Sequence, residues 1–137
     1  LDFGLARGAA RTTLTEAATM VGTLPYMAPE ILRSETVDEA SDLWSLGVVL
    51  FEALMGHLPW GEGQPTLQMA LAIARLETSP EVLTRAPLRT GVAELLAELL
   101  HPDSRQRMRD AGAVAKRLAA LAVDANAASG EVALHIG

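Results

Sequence analysis

The stretch "SDLWSLGVVLFEALMG", Ser41–Gly56, carries the strongest structural signal in the chain. Its apolar residues, Leu43, Trp44, Leu46, Val48, Val49, Leu50, Phe51, Leu54 and Met55, cover most of the circumference of a helix. Ser41 or Asp42 can cap its start, and Gly56 is well placed as its C-terminal stop. A helix apolar on nearly all sides belongs in the middle of a larger body. There each large side chain removed from water stabilises by about 1.5–3 kcal/mol. The sequence therefore predicts a central buried helix with other elements arranged around it.

The flanking sequence supplies those elements. "LPWGEGQPT" (58–66) is a loop by its Pro and Gly content, and Pro65 or Thr66 opens a helical pattern to about Leu76. Another helix runs from about Thr90 through "GVAELLAELL" and is ended by Pro102. "HPDSRQRM" (101–108) is a turn, followed by an amphipathic helix from Asp110 to about Val123. "DANAASGEVALHIG" (124–137) is rich in small residues and is expected to be a loosely ordered tail or linker. Residues 1 to about 35, rich in Thr, Gly and Ala, show no sustained period. An irregular segment of that length in a compact domain is usually functional.

Composition narrows the function classes. The chain has 137 residues, half of them hydrophobic, which suits one domain or part of one with a real core. Net charge is -6, and the 11 Lys and Arg are scattered, against a nucleic-acid surface. There is no cysteine, so disulfides and thiolate metal sites are excluded. His57, His101 and His135 have no ligand partner at i+3 or i+4 and read as surface or capping residues. The longest apolar run is interrupted by Glu52 and is too short to cross a bilayer, and no signal peptide is visible. A cytoplasmic protein is expected. The start at Leu1, without Met, suggests a piece of a longer parent.

Four short motifs then fall in order. "DFG" occupies 2–4, "GTLPYMAPE" occupies 22–30, "SDLWSLGVVLFEALMGHLPW" occupies 41–60 and "HPDSRQR" occupies 101–107. Together they resemble the protein kinase family from the Asp-Phe-Gly motif onward: the activation segment, the central helix of the C-terminal lobe, and the Arg-bearing turn before its last helix. The resemblance covers residues 1 to about 120 and points to the bacterial-type Ser/Thr kinases. It implies a mainly α fold, the helical C-lobe preceded by an irregular activation segment. Residues 1–123 would form a partial kinase domain, divided into an activation segment (1–30) and a helical lobe (31–123).

The resemblance also assigns roles. Asp2 supplies the carboxylate oxygen that Mg²⁺ requires beside ATP, Phe3 packs into the lobe, and Gly4 allows the sharp turn. Thr23 helps position the substrate hydroxyl and marks Ser/Thr specificity. Thr19, four residues earlier, is the activating phosphorylation site, with Thr15 as a second candidate and Thr12 and Thr13 as weaker ones. Arg7 is the cation that would face such a phosphate. Glu30 and Arg105 form the ion pair tying the activation segment to the helical body, and Asp42 holds the catalytic loop from below. Each has a plainer alternative: a loop carboxylate for Asp2, an unmodified threonine-rich loop, a solvated surface arginine for Arg105, and helix capping for Asp42.

The glycine-rich loop, the strand lysine, its glutamate partner and the catalytic loop with its base do not occur in the chain. Positioning and electrostatic stabilisation supply most catalysis in phosphoryl transfer, so the 137 residues alone are expected to be inactive. The parent would take Mg²⁺ and ATP and act on protein substrates, using an N-lobe and catalytic loop from outside this chain. The alternatives are a non-catalytic kinase-like binding module and a piece of a pseudokinase.

Overall fold

A computed structural model of the chain describes residues 22–136, with side chains described through Asn126. Among these residues the regular structure is helical and no strand forms. A 3₁₀ turn at Leu24–Tyr26 is followed by α1 (Pro29–Leu32), α2 (Glu39–Met55), α3 (Thr66–Ala74), α4 (Val82–Arg85), α5 (Thr90–Leu99) and α6 (Ala111–Ile136). The 3₁₀ turn and α1 give local order to the end of a segment that the sequence reads as irregular. Pro25 and Pro29 supply fixed φ angles at the start of each.

Helix α2 begins earlier than expected. Its cap is Asp38, whose carboxylate accepts the Ala40 N–H at 2.9 Å, rather than Ser41 or Asp42. The other oxygen of Asp38 accepts from Arg109 Nη1 at 3.0 Å, which fixes the capping rotamer. Gly56 closes the helix at φ 79°, the left-handed conformation that suits glycine. Trp44, Val48 and Phe51 line up at i, i+4 and i+7 and enter the main core with Ala28, Met69, Ile73, Leu83, Leu96 and Leu100. Leu43 enters a second cluster with Leu95, Leu99 and Val114. One helix thus feeds both clusters.

Gly47 sits where α2 meets α5. A Cβ there would lie 2.9 Å from Leu99 Cβ and 3.0 Å from Leu100 Cδ2, so the approach requires glycine's bare backbone. Burial is nevertheless not all-round: Val49 and Leu54 are 48% and 56% exposed. Among the described residues α2 is covered on one flank and open on the other.

Two further boundaries differ from expectation. Helix α3 stops at Ala74 rather than near Leu76, where Arg33 donates Nε–H to Ala74 O at 2.7 Å and Nη2–H to Leu76 O at 3.2 Å. These bonds satisfy carbonyls that a helix end leaves without partners. Helix α6 continues to Ile136 instead of ending near Val123 in a loose tail. Its C-terminal half is rich in Ala, the best helix former, and contains no proline. The short α4 had no foreseen counterpart.

Candidate functional site: the anchored loop at residues 23–30

The loop from Thr23 to Glu30 is held to the helical body at its C-terminal end and through its middle. Glu30 and Arg107 are 2% and 3% exposed and form a forked pair, Nη1 to Oε1 at 2.6 Å and Nη2 to Oε2 at 3.0 Å. Arg107 gives its other N–H groups to backbone carbonyls: Nη1 to Ala40 O at 2.8 Å, Nε to His101 O at 2.9 Å, and Nη2 to Pro102 O at 3.5 Å. All five guanidinium donors therefore have acceptors. Ser41 adds a bond from its hydroxyl to Glu30 Oε1 at 2.8 Å. The Arg107 Cζ also lies 5.1 Å from the centre of the Trp44 ring, within cation–π range.

Burial is the strongest single influence on Glu30 and pushes its pKa up. The bond from Arg107, the backbone and Ser41 bonds, and the Arg107 charge together outweigh it, and the pKa lies below the usual value. The carboxylate stays ionised in this buried site because Arg107, Ser41 and the backbone all donate to it. A buried pair with full hydrogen bonding holds; removing either member alone costs about 3–5 kcal/mol.

This corrects the expected Glu30–Arg105 pair. Arg105 points to solvent, its side chain 84% exposed, and forks onto Asp103 at 3.1 Å through both Nε and Nη2. The Arg105 backbone N–H also donates to Asp103 Oδ1 at 2.9 Å, so the carboxylate closes a local turn around the residue two places on. That contact draws the first arginine of "SRQR" outward and leaves Arg107 to reach inward. The Arg105 side chain, the dominant influence, holds the half-buried Asp103 carboxylate down at about 2. The Asp103 partner in turn raises Arg105.

The middle of the loop is half-buried and fastened by side chains of α2 and of the loop after it. Leu24 O accepts from the Met27 N–H at 3.1 Å, Pro25 O from Trp60 Nε1 at 2.8 Å, and Tyr26 O from Ser45 Oγ at 2.7 Å. Three successive carbonyls are thus occupied. The Tyr26 hydroxyl donates to Glu52 Oε1 at 2.6 Å, and that bond, followed by burial and the Glu52 charge, raises the phenol pKa. Thr23 is half-buried, in right-handed helical conformation, and its side chain does not cap the turn that follows.

The structure brings together Glu30, Ser41, Ala40, Trp44 and Arg107, and it sets Asp42 apart as an exposed residue of α2. Asp2, Phe3, Gly4, Arg7, Thr15 and Thr19 lie outside the described residues. Among the described residues no three His, Asp or Glu side chains converge on a metal-sized site. Sequence reasoning missed Arg107, Ser45, Glu52 and Trp60. Only Arg107 left a signal: an Asp two residues before the nearer arginine competes for it locally.

Comparisons with known proteins fit this geometry. Residues 1–118 match the family model described as a protein kinase domain. The chain is 34% identical over 120 residues to the serine/threonine-protein kinase PknJ of Mycobacterium tuberculosis, a stretch that is 87% of this chain and 20% of that protein. It is 38% identical over 117 residues to human mitogen-activated protein kinase kinase kinase 10, covering 85% of this chain and 12% of the relative. Against the serine/threonine-protein kinase PknB of Mycolicibacterium smegmatis the identity is 42% over 82 residues, 58% of this chain and 13% of that protein. The chain thus spans about a fifth or less of the length of these relatives. No helix among the described residues is long and apolar enough to cross a membrane.

Proposed function

The chain belongs to the protein kinase family, and from that premise we propose that it is the lower-lobe part of a serine/threonine protein kinase, presenting the peptide substrate on residues 23–30. The observation that carries this reading is the loop's construction. Its end is locked by the buried Glu30–Arg107 pair, while residues 23–27 remain partly accessible with their backbone fixed. A rigid, accessible main chain beside a helical body is what positioning a peptide hydroxyl requires.

Protein kinase domains as a class use ATP and Mg²⁺, which supply the phosphoryl group and neutralise its developing charge. Asp2 is the proposed metal-binding carboxylate, on the strength of the Asp-Phe-Gly motif. Phe3 and Gly4 would shape its turn, and Thr23 would orient the accepting hydroxyl. Thr19 and Thr15 are the proposed phosphorylation sites, with Arg7 as the facing cation, in a cytoplasmic kinase acting on protein substrates. Asp42 is proposed to meet the catalytic loop of the full domain, since its carboxylate is free of the capping role that Asp38 fills.

The test is transfer of labelled phosphate from ATP by a full kinase domain containing this chain. Phosphoserine and phosphothreonine products without phosphotyrosine are expected, and the 137 residues alone should transfer none. Turnover by those residues alone, or tyrosine products, would overturn the assignment. A non-catalytic binding module is the second reading, favoured by Leu67 and Leu71, exposed one turn apart on α3. A full domain that carries no phosphoryl transfer would support it.

A further inference from the structure

We propose that Trp60 is a positioning residue for the peptide-binding loop, acting through its indole N–H on the Pro25 carbonyl. This rests on the reading of residues 23–30 as the peptide platform. Trp60 is the last residue of the 41–60 motif, but the resemblance assigns it no role; it lies in the loop between α2 and α3, 35 residues from its acceptor. A tryptophan donor is a single N–H with a fixed direction, so the ring must be aimed before the bond can form.

Here the ring is aimed from one face. It stacks on Trp44 with centroids 5.8 Å apart and planes 7° from parallel. Trp44 is itself fully buried and lies against the Arg107 guanidinium, so the orientation of Trp60 is inherited from the buried cluster around Arg107. The Trp60 backbone is held as well, its carbonyl accepting from Gln64 Nε2.

The acceptor side explains why the bond matters. Pro25 has no N–H, so it cannot anchor itself by donating. Its carbonyl lies between that of Leu24, taken by the Met27 N–H, and that of Tyr26, taken by the Ser45 hydroxyl. Without the indole, the central carbonyl of the three would turn to water and the peptide unit between Pro25 and Tyr26 could rotate. The consequence is expected on peptide binding, because the described partners of Trp60 are Pro25 of the loop, Trp44 and Gln64.

The experiment uses a full kinase domain containing this chain. Trp60→Phe keeps an aromatic ring on Trp44 and removes the donor, together with the indole's second ring. Loss of one such bond is expected to raise KM for a peptide substrate roughly three- to tenfold, with KM for ATP and the melting temperature unchanged. Ser45→Ala withdraws the neighbouring donor without touching the aromatic stack and should also raise the peptide KM selectively. An unchanged peptide KM in Trp60→Phe would overturn the proposal. So would a rise shared by the ATP KM and accompanied by a lower melting temperature, which would make Trp60 merely structural. If the unaltered domain phosphorylates no protein at all, the functional reading itself falls, and this proposal with it.

Discussion

At the scale of single residues, the two arginines of "SRQR" make opposite contributions. Arg107→Ala leaves the Glu30 carboxylate buried without its partner and is expected to cost about 3–5 kcal/mol in denaturant unfolding. Arg105→Ala removes a solvent-exposed partner of Asp103 and should change stability by no more than about 0.5 kcal/mol. Glu30 also sets a pH dependence. Its folded pKa lies below the usual 4.5, so in acid the unfolded chain binds the proton first. The stabilisation from its ionised form is complete above about pH 4.5 and is lost as pH falls through the lower folded value. Glu30→Gln should flatten that part of the acid limb. Tyr26 has the opposite sign: its pKa is raised above 10.0, so the neutral phenol's contribution is lost only as pH climbs past that value. It is the chain's single tyrosine, so phenolate absorbance during an alkaline titration reads it directly and should show a midpoint above 10.0.

At the scale of elements, the close crossing of α2 and α5 is a tight constraint. Gly47→Ala would drive a methyl group against Leu99 and Leu100, both fully buried, and is expected to cost about 1–3 kcal/mol. Thermal unfolding checks this, and a neutral result would mean the two helices can separate freely. Helices α2, α3 and α5 were legible because their apolar residues recur at helical spacing and Gly56 marks a stop. The start of α2 was not, because Asp38, Ser41 and Asp42 are all capping residue types and only the contact from Arg109 favours Asp38. The reach of α6 was obscured by a low-polarity, Ala-rich tail that reads equally as linker or helix.

At the scale of the whole molecule, the fold class and the family were legible because four motifs stand in a fixed order, which isolated motifs could not establish. The site was legible only in part. Glu30 forms a buried ion pair with the helical body, yet the partner is Arg107 and not Arg105, a choice between arginines two residues apart that accompanies a local Asp–Arg contact. Tyr26–Glu52 and Trp60–Pro25 join residues 26 and 35 apart, and no sequence spacing encodes them. The account as a whole depends on the loop at residues 23–30 being fastened to the helical body through the inner arginine. A pair of double-mutant cycles at neutral pH measures this most directly, one joining Glu30→Ala with Arg107→Ala and the other with Arg105→Ala. A coupling of about 2 kcal/mol or more is predicted for Glu30 with Arg107, and one within about 0.5 kcal/mol of zero for Glu30 with Arg105. Strong coupling to Arg105 with none to Arg107 would contradict it.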